Sequence, residues 1–227
     1  MFLVVALIIA ALVFVGFAPT YWIPLVSADT TLSTAIHVHA ALFFGWALLF
    51  VAQTALAHKQ MLDVHKRVGS VGVLWSLGTI VAGFFLAFST IARDLDAIDG
   101  TLNGVVTLIA LSQVCMFAGF ILLGVLHVSK PPSHKRFMTL AALVAVTPAI
   151  ARISNAILGA PSVPVIFAAS TGILLAVIWF DTTHNRRLHP VFLWGGITIL
   201  AVRVIRIPVA MSPAWRSTAE AIGAWVG

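Results

Sequence analysis

Three arginines and two histidines stand where the surrounding chain carries almost nothing polar. Arg152, Arg203 and Arg206 each fall inside a long apolar stretch, and His37 and His39 open another. An arginine at the centre of a membrane costs about 2.5–3.5 kcal/mol on insertion scales and less near the edge, so each needs a partner or a watery cavity. No carboxylate lies within these apolar stretches to supply one. Arg203 and Arg206 share a helix face at i, i+3, and Arg152 has Asn155 at the same spacing. Counted at about 1.5 Å per residue from the inner ends of their helices, Arg203 lies about 18 Å up, Arg152 and Arg206 about 22 Å, and His39 about 27 Å. Arginine reaches several ångströms further, which puts all five side chains in one layer near the outer face.

The chemistry of such a layer is recognition of negative charge. Guanidiniums hold a carboxylate, a phosphate, a haem propionate or a quinone oxygen, and a neighbouring imidazole serves as ligand or proton carrier. The competing reading has the arginines reaching outer headgroups, or pairing with Asp29, Asp94, Asp96 and Asp99. Trp46 and Gln53 follow His39 at intervals of seven, share its helix face, and join the candidate set. A divalent metal site at His37-x-His39 is a narrower reading. Residues i and i+2 point to opposite helix faces, so both bind one ion only with His37 still in the loop, and a third ligand such as Asp29 is needed.

The elements that position these residues follow from composition. Of 227 residues, 61% are hydrophobic and 9% charged, against about 25% charged in an ordinary soluble domain, and the mean hydropathy is +1.08. This composition predicts an all-α, polytopic transmembrane bundle forming one integral membrane domain. At about 20 residues per span there is room for seven: 2–17, 32–57, 68–90, 101–128, 137–158, 163–180 and 191–211. Residues 212–227 read as an amphipathic helix in the outer interface. The first segment lacks the basic flank of a signal peptide and is followed by Pro19, so it counts as a span. Lys59, Lys66, Arg67, Lys130, Lys135, Arg136, Arg186 and Arg187 fall in the second, fourth and sixth connections, against Arg93 and Arg216 opposite. That bias places the N-terminus inside and the C-terminus outside. The net charge of +6 then belongs to anionic lipid at the cytoplasmic face, not to nucleic acid. The single cysteine, Cys115, excludes an internal disulfide or a cysteine cluster, and there is no phosphate-binding or nucleophile-elbow motif.

Six histidines bracket the three basic connections: His58, His65, His127, His134, His184 and His189. They read either as metal or bis-histidine haem ligands, His58 with His127 or His65 with His134, or as caps that meet lipid headgroups together with Lys66, Arg67, Lys135 and Arg136. Their place at span ends favours the cytoplasmic rim. His58, His65, Lys66 and Arg67 recur at an offset of 69 as His127, His134, Lys135 and Arg136. Spans two and three would thus repeat in spans four and five, in parallel. The third span carries small residues at Gly69, Gly72, Ser76, Thr79 and Gly83, a stripe that lets a neighbour approach closely and predicts a central position.

Several of these elements together resemble an uncharacterised bacterial membrane-protein family, domain of unknown function 2306. They are Pro19-Thr20-Tyr21-Trp22, His37-x-His39 with Trp46 and Gln53, Leu62-Asp63-Val64-His65-Lys66-Arg67-Val68-Gly69, His134-Lys135-Arg136-Phe137-Met138, Pro148-Ala149-Ile150-Ala151-Arg152, and His189-Pro190 with Leu193-Trp194-Gly195-Gly196. The resemblance implies a multi-span fold in a bacterial inner membrane and the prominence of His37, His39, His65, His134 and Arg152. It implies no activity. Three functions fit the residues: a redox or cofactor-binding protein taking haem b, quinone or a divalent metal at the outer layer; a small transporter or binding protein for an anionic solute or lipid; or an accessory subunit of a homo- or hetero-oligomer. No motif fixes a reaction.

Overall fold

The computed structural model describes residues 1–27, 32–94 and 101–226, with side chains described there except at 90–94, 101–104 and 225–226. Its helices are α1 (Phe2–Gly16), α2 (Ile23–Ser27), α3 (Thr34–His58), α4 (Leu62–Asp94), α5 (Thr101–Leu126), α6 (Pro131–Ala145), α7 (Thr147–Leu158), α8 (Val163–Asn185), α9 (Pro190–Ala210) and α10 (Pro213–Val226), with a π-helical turn at Ala18–Trp22. Six stretches are long and apolar enough to cross a membrane, counting α6 and α7 together, and the bent pair of α1 with the segment after it brings the number to seven.

Two interruptions matter for the site, and proline causes both. Pro19 offers no N–H, and the Tyr21 and Trp22 amides both reach back to the Phe17 carbonyl at 2.9 and 3.4 Å. The chain bends by 41° there. At the second, the Val146 amide still bonds Ala142 O at 3.0 Å, but Pro148 in the first turn of α7 has no N–H to continue the ladder. At the break the Thr147 hydroxyl donates to Leu143 O at 3.4 Å and keeps lone pairs for a side-chain donor in the middle of the bundle.

The α6–α7 span is the core. Of its most apolar stretch 67% is buried, and Leu140, Ala141, Ala142, Val146 and Ala149 are fully so. α1 docks where Gly16 approaches so closely that a Cβ would lie 2.5 Å from Ala149 O, and α9 docks where Gly195 leaves room for Leu140. The small-residue stripe therefore misplaced the centre, because α4 is only 22% buried over the same measure. Its small residues seat α3 along most of their length and α5 at Gly83, where a Cβ would lie 3.0 Å from Val114 Cγ2. Trp46 Nε1 of α3 donates to Ser76 Oγ at 3.0 Å, and Trp75 Nε1 and Thr79 Oγ1 donate to Leu42 O at 2.8 and 3.2 Å.

Helices outrun the apolar segments at the basic-loop end. α4 begins at Leu62 and α6 at Pro131, so Lys66, Arg67, Lys135 and Arg136 are helical rather than loop residues, and α8 continues to Asn185. Backbone hydrogen bonding does not stop where hydrophobicity does. α10 forms as expected and packs against α4, α5 and α9.

Candidate functional site

Arg203 on α9 is 3% exposed. Its Nη2 donates to Thr147 Oγ1 at 3.1 Å and its Nη1 to Thr171 Oγ1 at 3.4 Å, while its buried Nε has no partner. Thr147 opens α7, its hydroxyl donating to Leu143 O of α6 at 3.4 Å while it accepts from Arg203. Arg206, one turn further along α9, donates from Nη1 to Ser112 Oγ of α5 at 3.4 Å, and its Nε is likewise buried and unpartnered. Every side-chain partner of these two guanidiniums is a neutral hydroxyl, and neither makes an ion pair with a described residue.

Arg152 leans the other way. Its Nε donates to Thr20 Oγ1 at 2.9 Å and its Nη1 to Pro148 O at 3.1 Å, with the guanidinium 4.1 Å above the Phe17 ring. The π-helical turn presents Thr20, and the same turn sets the Tyr21 hydroxyl 3.2 Å from His37 Nδ1. His39 stacks on Phe43 at 6.0 Å, and its buried Nδ1 has no partner. Its ring lies beside α4 where Gly83 passes, a Cβ there being 3.9 Å from His39 Cε1.

The single layer expected from the sequence is thus two clusters that meet at α7. One joins Arg152, Thr20, Phe17, Tyr21, His37 and His39; the other joins Arg203, Arg206, Thr147, Thr171 and Ser112. Gln113, Ser154 and Asn155 leave further buried polar atoms unpartnered in the same half of the bundle, whereas the basic-loop half holds only Gln53 and Thr182 among the described residues. Native interiors leave few such atoms, so a concentration of them asks for an explanation. Trp46 and Gln53 lie apart. Trp46 is fixed by its bond to Ser76 and its stacking on Phe50 at 5.6 Å, and Gln53 sits about 21 Å along α3 from His39.

Haem and metal fit this half poorly. Among the described residues no three His, Cys, Asp or Glu side chains converge, His37 faces a tyrosine hydroxyl, and no second histidine is placed against His39 as an axial ligand. Asp29, the third ligand that the sequence offered, lies outside the described residues, as do Asp96 and Asp99, and the Asp94 side chain is not described.

The basic-loop end is built differently. Arg136 is 3% exposed and grips fully buried Asp181 with two bonds, Nε to Oδ2 at 2.8 Å and Nη2 to Oδ1 at 2.9 Å. Its Nη1 donates to Pro132 O at 2.6 Å, and Asn185 Nδ2 adds a bond to Asp181 Oδ1 at 3.1 Å. Asp181 escaped the sequence reading because it stands one residue beyond the apolar segment, and Arg136 had been assigned to the rim. The available signal was the i, i+4 pair Asp181 and Asn185 on a helix that runs on. Partial burial, and after it the Arg136 charge, holds the His189 imidazole below its ordinary range, with Asp181 pulling the other way.

The repeat also has structural content. His65 Nδ1 lies 3.2 Å from Gln53 O and His134 Nδ1 2.8 Å from Gly124 O, so each ring ties the start of one helix to the end of the helix before it. A carbonyl only accepts, so Nδ1 carries a proton in both. The two rings stand 6.3 Å apart and perpendicular. His127 turns to Leu123 O and the Phe137 ring instead. Lys66, Arg67 and Lys135 are exposed, Lys135 lying 4.7 Å over the Phe2 ring.

The six to seven apolar helices define a multi-pass, membrane-spanning helical protein. No family model matches the chain, and neither a curated protein nor a solved structure does.

Proposed function

We propose that this is a membrane binding protein or small transporter for an anionic solute or lipid, whose negative group is held by Arg203 and Arg206. One observation carries the reading: two neighbouring guanidiniums on α9, one of them 3% exposed, have only neutral hydroxyls as side-chain partners and keep unpartnered Nε groups. A buried cation without a counterion is expensive, and an anion that supplies both charge and acceptor oxygens removes that cost. The positive-inside bias adds an orientation, with this half of the bundle facing out of a bacterial inner membrane.

The test is thermal unfolding in detergent with inorganic phosphate, a monocarboxylate and phosphatidylglycerol titrated separately. At about 100 times its dissociation constant a specific ligand adds about 2.7 kcal/mol. At least one anion is expected to raise the midpoint saturably in the native chain and not in Arg203→Met. Three flat titrations would sink the reading.

The redox alternative keeps one observation, the buried and unpartnered His39 Nδ1 in the field of Arg152. It requires a cofactor in the purified protein. Expression with haem and metal supplied, followed by a spectrum without a Soret band and sub-stoichiometric metal, leaves quinone as its only form. Membership of domain of unknown function 2306 belongs with these proposals. Its support is that quoted motif residues meet in space, Thr20 with Arg152, Tyr21 with His37 and His65 with His134.

A further inference from the structure

The unpartnered polar atoms of α3, α5, α7 and α9 form a connected run, and α5 makes the connection. Three successive residues there face three ways, as helical steps of about 100° require. Ser112 Oγ takes Arg206 Nη1 of α9 at 3.4 Å. Val114 meets α4 where Gly83 passes, a Cβ there lying 3.0 Å from Val114 Cγ2 and 3.9 Å from His39 Cε1 of α3. Gln113, between the two, turns into the bundle: it is 8% exposed, and its Oε1 has no partner. Phe117, one turn along the Gln113 face, meets the Trp46 ring of α3 edge-on at 4.8 Å. The carboxamide thus stands between the His39 imidazole and the Arg206 guanidinium, each with a buried nitrogen unpartnered. Arg203 carries the run to Thr147 of α7, and two turns further out on α7 Ser154 Oγ and Asn155 Oδ1 are buried without partners.

The run is open at one end and stopped at the other. His39, Asn155 and Arg206 stand within five residues of the ends of α3, α7 and α9 that lie opposite the basic loops, while Gln113 and Arg203 lie deeper. One turn inward from Arg203 and its partners come Ile199 of α9, Leu174 of α8 and Val144 of α6, each no more than 1% exposed. Beyond that layer the Arg136–Asp181 pair is complete in itself. The orphaned atoms are also of mixed kind. Guanidinium nitrogens only donate, and the carboxamide oxygens of Gln113 and Asn155 only accept. An anion alone satisfies the first and repels the second. Water satisfies both, and buried water is the ordinary partner of adjacent polar groups that the protein leaves unpaired.

We infer that this half of the bundle is a hydrated vestibule, entered from the side opposite the basic loops and floored by Val144, Leu174 and Ile199, through which a small water-soluble anion reaches Arg203 and Arg206. The vestibule itself goes beyond the proposed function. Its ligand rests on that reading and narrows it to a solute that arrives with its water, not a lipid of the bilayer.

Cysteine labelling reads the water directly, because a thiol reacts as its thiolate, a form that apolar burial suppresses. The one cysteine is first removed as Cys115→Ser. In that full chain Gln113→Cys, Ser154→Cys and Leu174→Cys are each treated, in intact bacterial cells, with the impermeant anionic reagent 2-sulfonatoethyl methanethiosulfonate, and the adduct is read by intact mass. Gln113→Cys and Ser154→Cys are expected to label at least about tenfold faster than Leu174→Cys, and inorganic phosphate is expected to slow Gln113→Cys. Radiolytic hydroxyl-radical labelling of the unsubstituted chain, which marks side chains beside ordered water, is expected to oxidise His39 faster than Phe192, each relative to its free amino acid. Both thiols labelling no faster than Leu174→Cys, or His39 oxidising no faster than Phe192, overturns the vestibule. If phosphate still raises the unfolding midpoint through Arg203 in that case, the anion-binding function stands and only the water route falls. If both thiols label fast and phosphate neither slows them nor raises the midpoint, the vestibule stands and its anionic ligand falls.

Discussion

Arg136 and Arg203 are each 3% exposed, and the bundle treats them in opposite ways. Arg136 has a bidentate carboxylate, a backbone carbonyl and the Phe192 ring at 5.8 Å, so each guanidinium nitrogen has a partner. Arg203 has two threonine hydroxyls and an Nε with nothing. Equal burial with unequal satisfaction separates a charge that locks the fold from one that the fold leaves without a counterion. The repeat sharpens the point. Arg67, the counterpart of Arg136 at the offset of 69, is exposed, so the locked pair is particular to the second hairpin and its packing on α8.

The largest test of this contrast is Arg136→Met. It strands Asp181 in a buried site, and removing one partner of such a pair costs about 3–5 kcal/mol. A large fall in the thermal midpoint in detergent is expected, with most of it regained in Arg136→Met/Asp181→Leu. Arg203→Met is next and should behave otherwise. It leaves only neutral hydroxyls behind, at a cost of no more than about 1 kcal/mol, yet it abolishes stabilisation by anions. If it unfolds the protein as Arg136→Met does, the two ends are alike and the contrast is wrong.

His134→Ala gives a smaller effect at the locked end, about 1 kcal/mol from the freed Gly124 carbonyl, and His134→Asn restores it because the amide places a donor near the former Nδ1. Equal loss in both variants would remove the role assigned to that bond. The smallest effect is a pH dependence at His189, whose Nδ1 accepts from Val191 N at 3.2 Å and caps α9. Its pKa is lowered by partial burial and by Arg136, with Arg187 and Lys135 adding and Asp181 opposing. The folded state thus favours the neutral ring. Stability present above about pH 6.5 declines as the pH falls below that value and through the lower folded-state pKa, and His189→Asn should flatten the midpoint-against-pH curve in that acidic window.

The membrane class and the spans were legible because hydropathy and helix length are one-dimensional quantities. Which residues meet was less so. His65 and His134 could be paired from the repeat, since the offset carried geometry with it. Asp181 could not, because a hydropathy boundary hides a helix that continues past it, and the meeting of Arg203 with Thr147 and Thr171 depends on how α7, α8 and α9 pack, which no spacing along the chain carries. The central span was misjudged for a related reason. A stripe of small residues marks close approaches, here to α3 and at Gly83 to α5, whereas α6–α7 is central because α1, α5, α8 and α9 all rest on it.

The bond from Arg152 to Thr20 joins residues 132 apart in the chain. At a synthesis rate of about 5–20 residues per second, the π-helical turn emerges roughly 7–26 s before its guanidinium exists. For that interval Thr20 lacks this donor, and the turn is held by the Tyr21–His37 contact and its packing against α3. The closing contact of the N-terminal helix is therefore an event of late assembly, timed by the arrival of the fifth span.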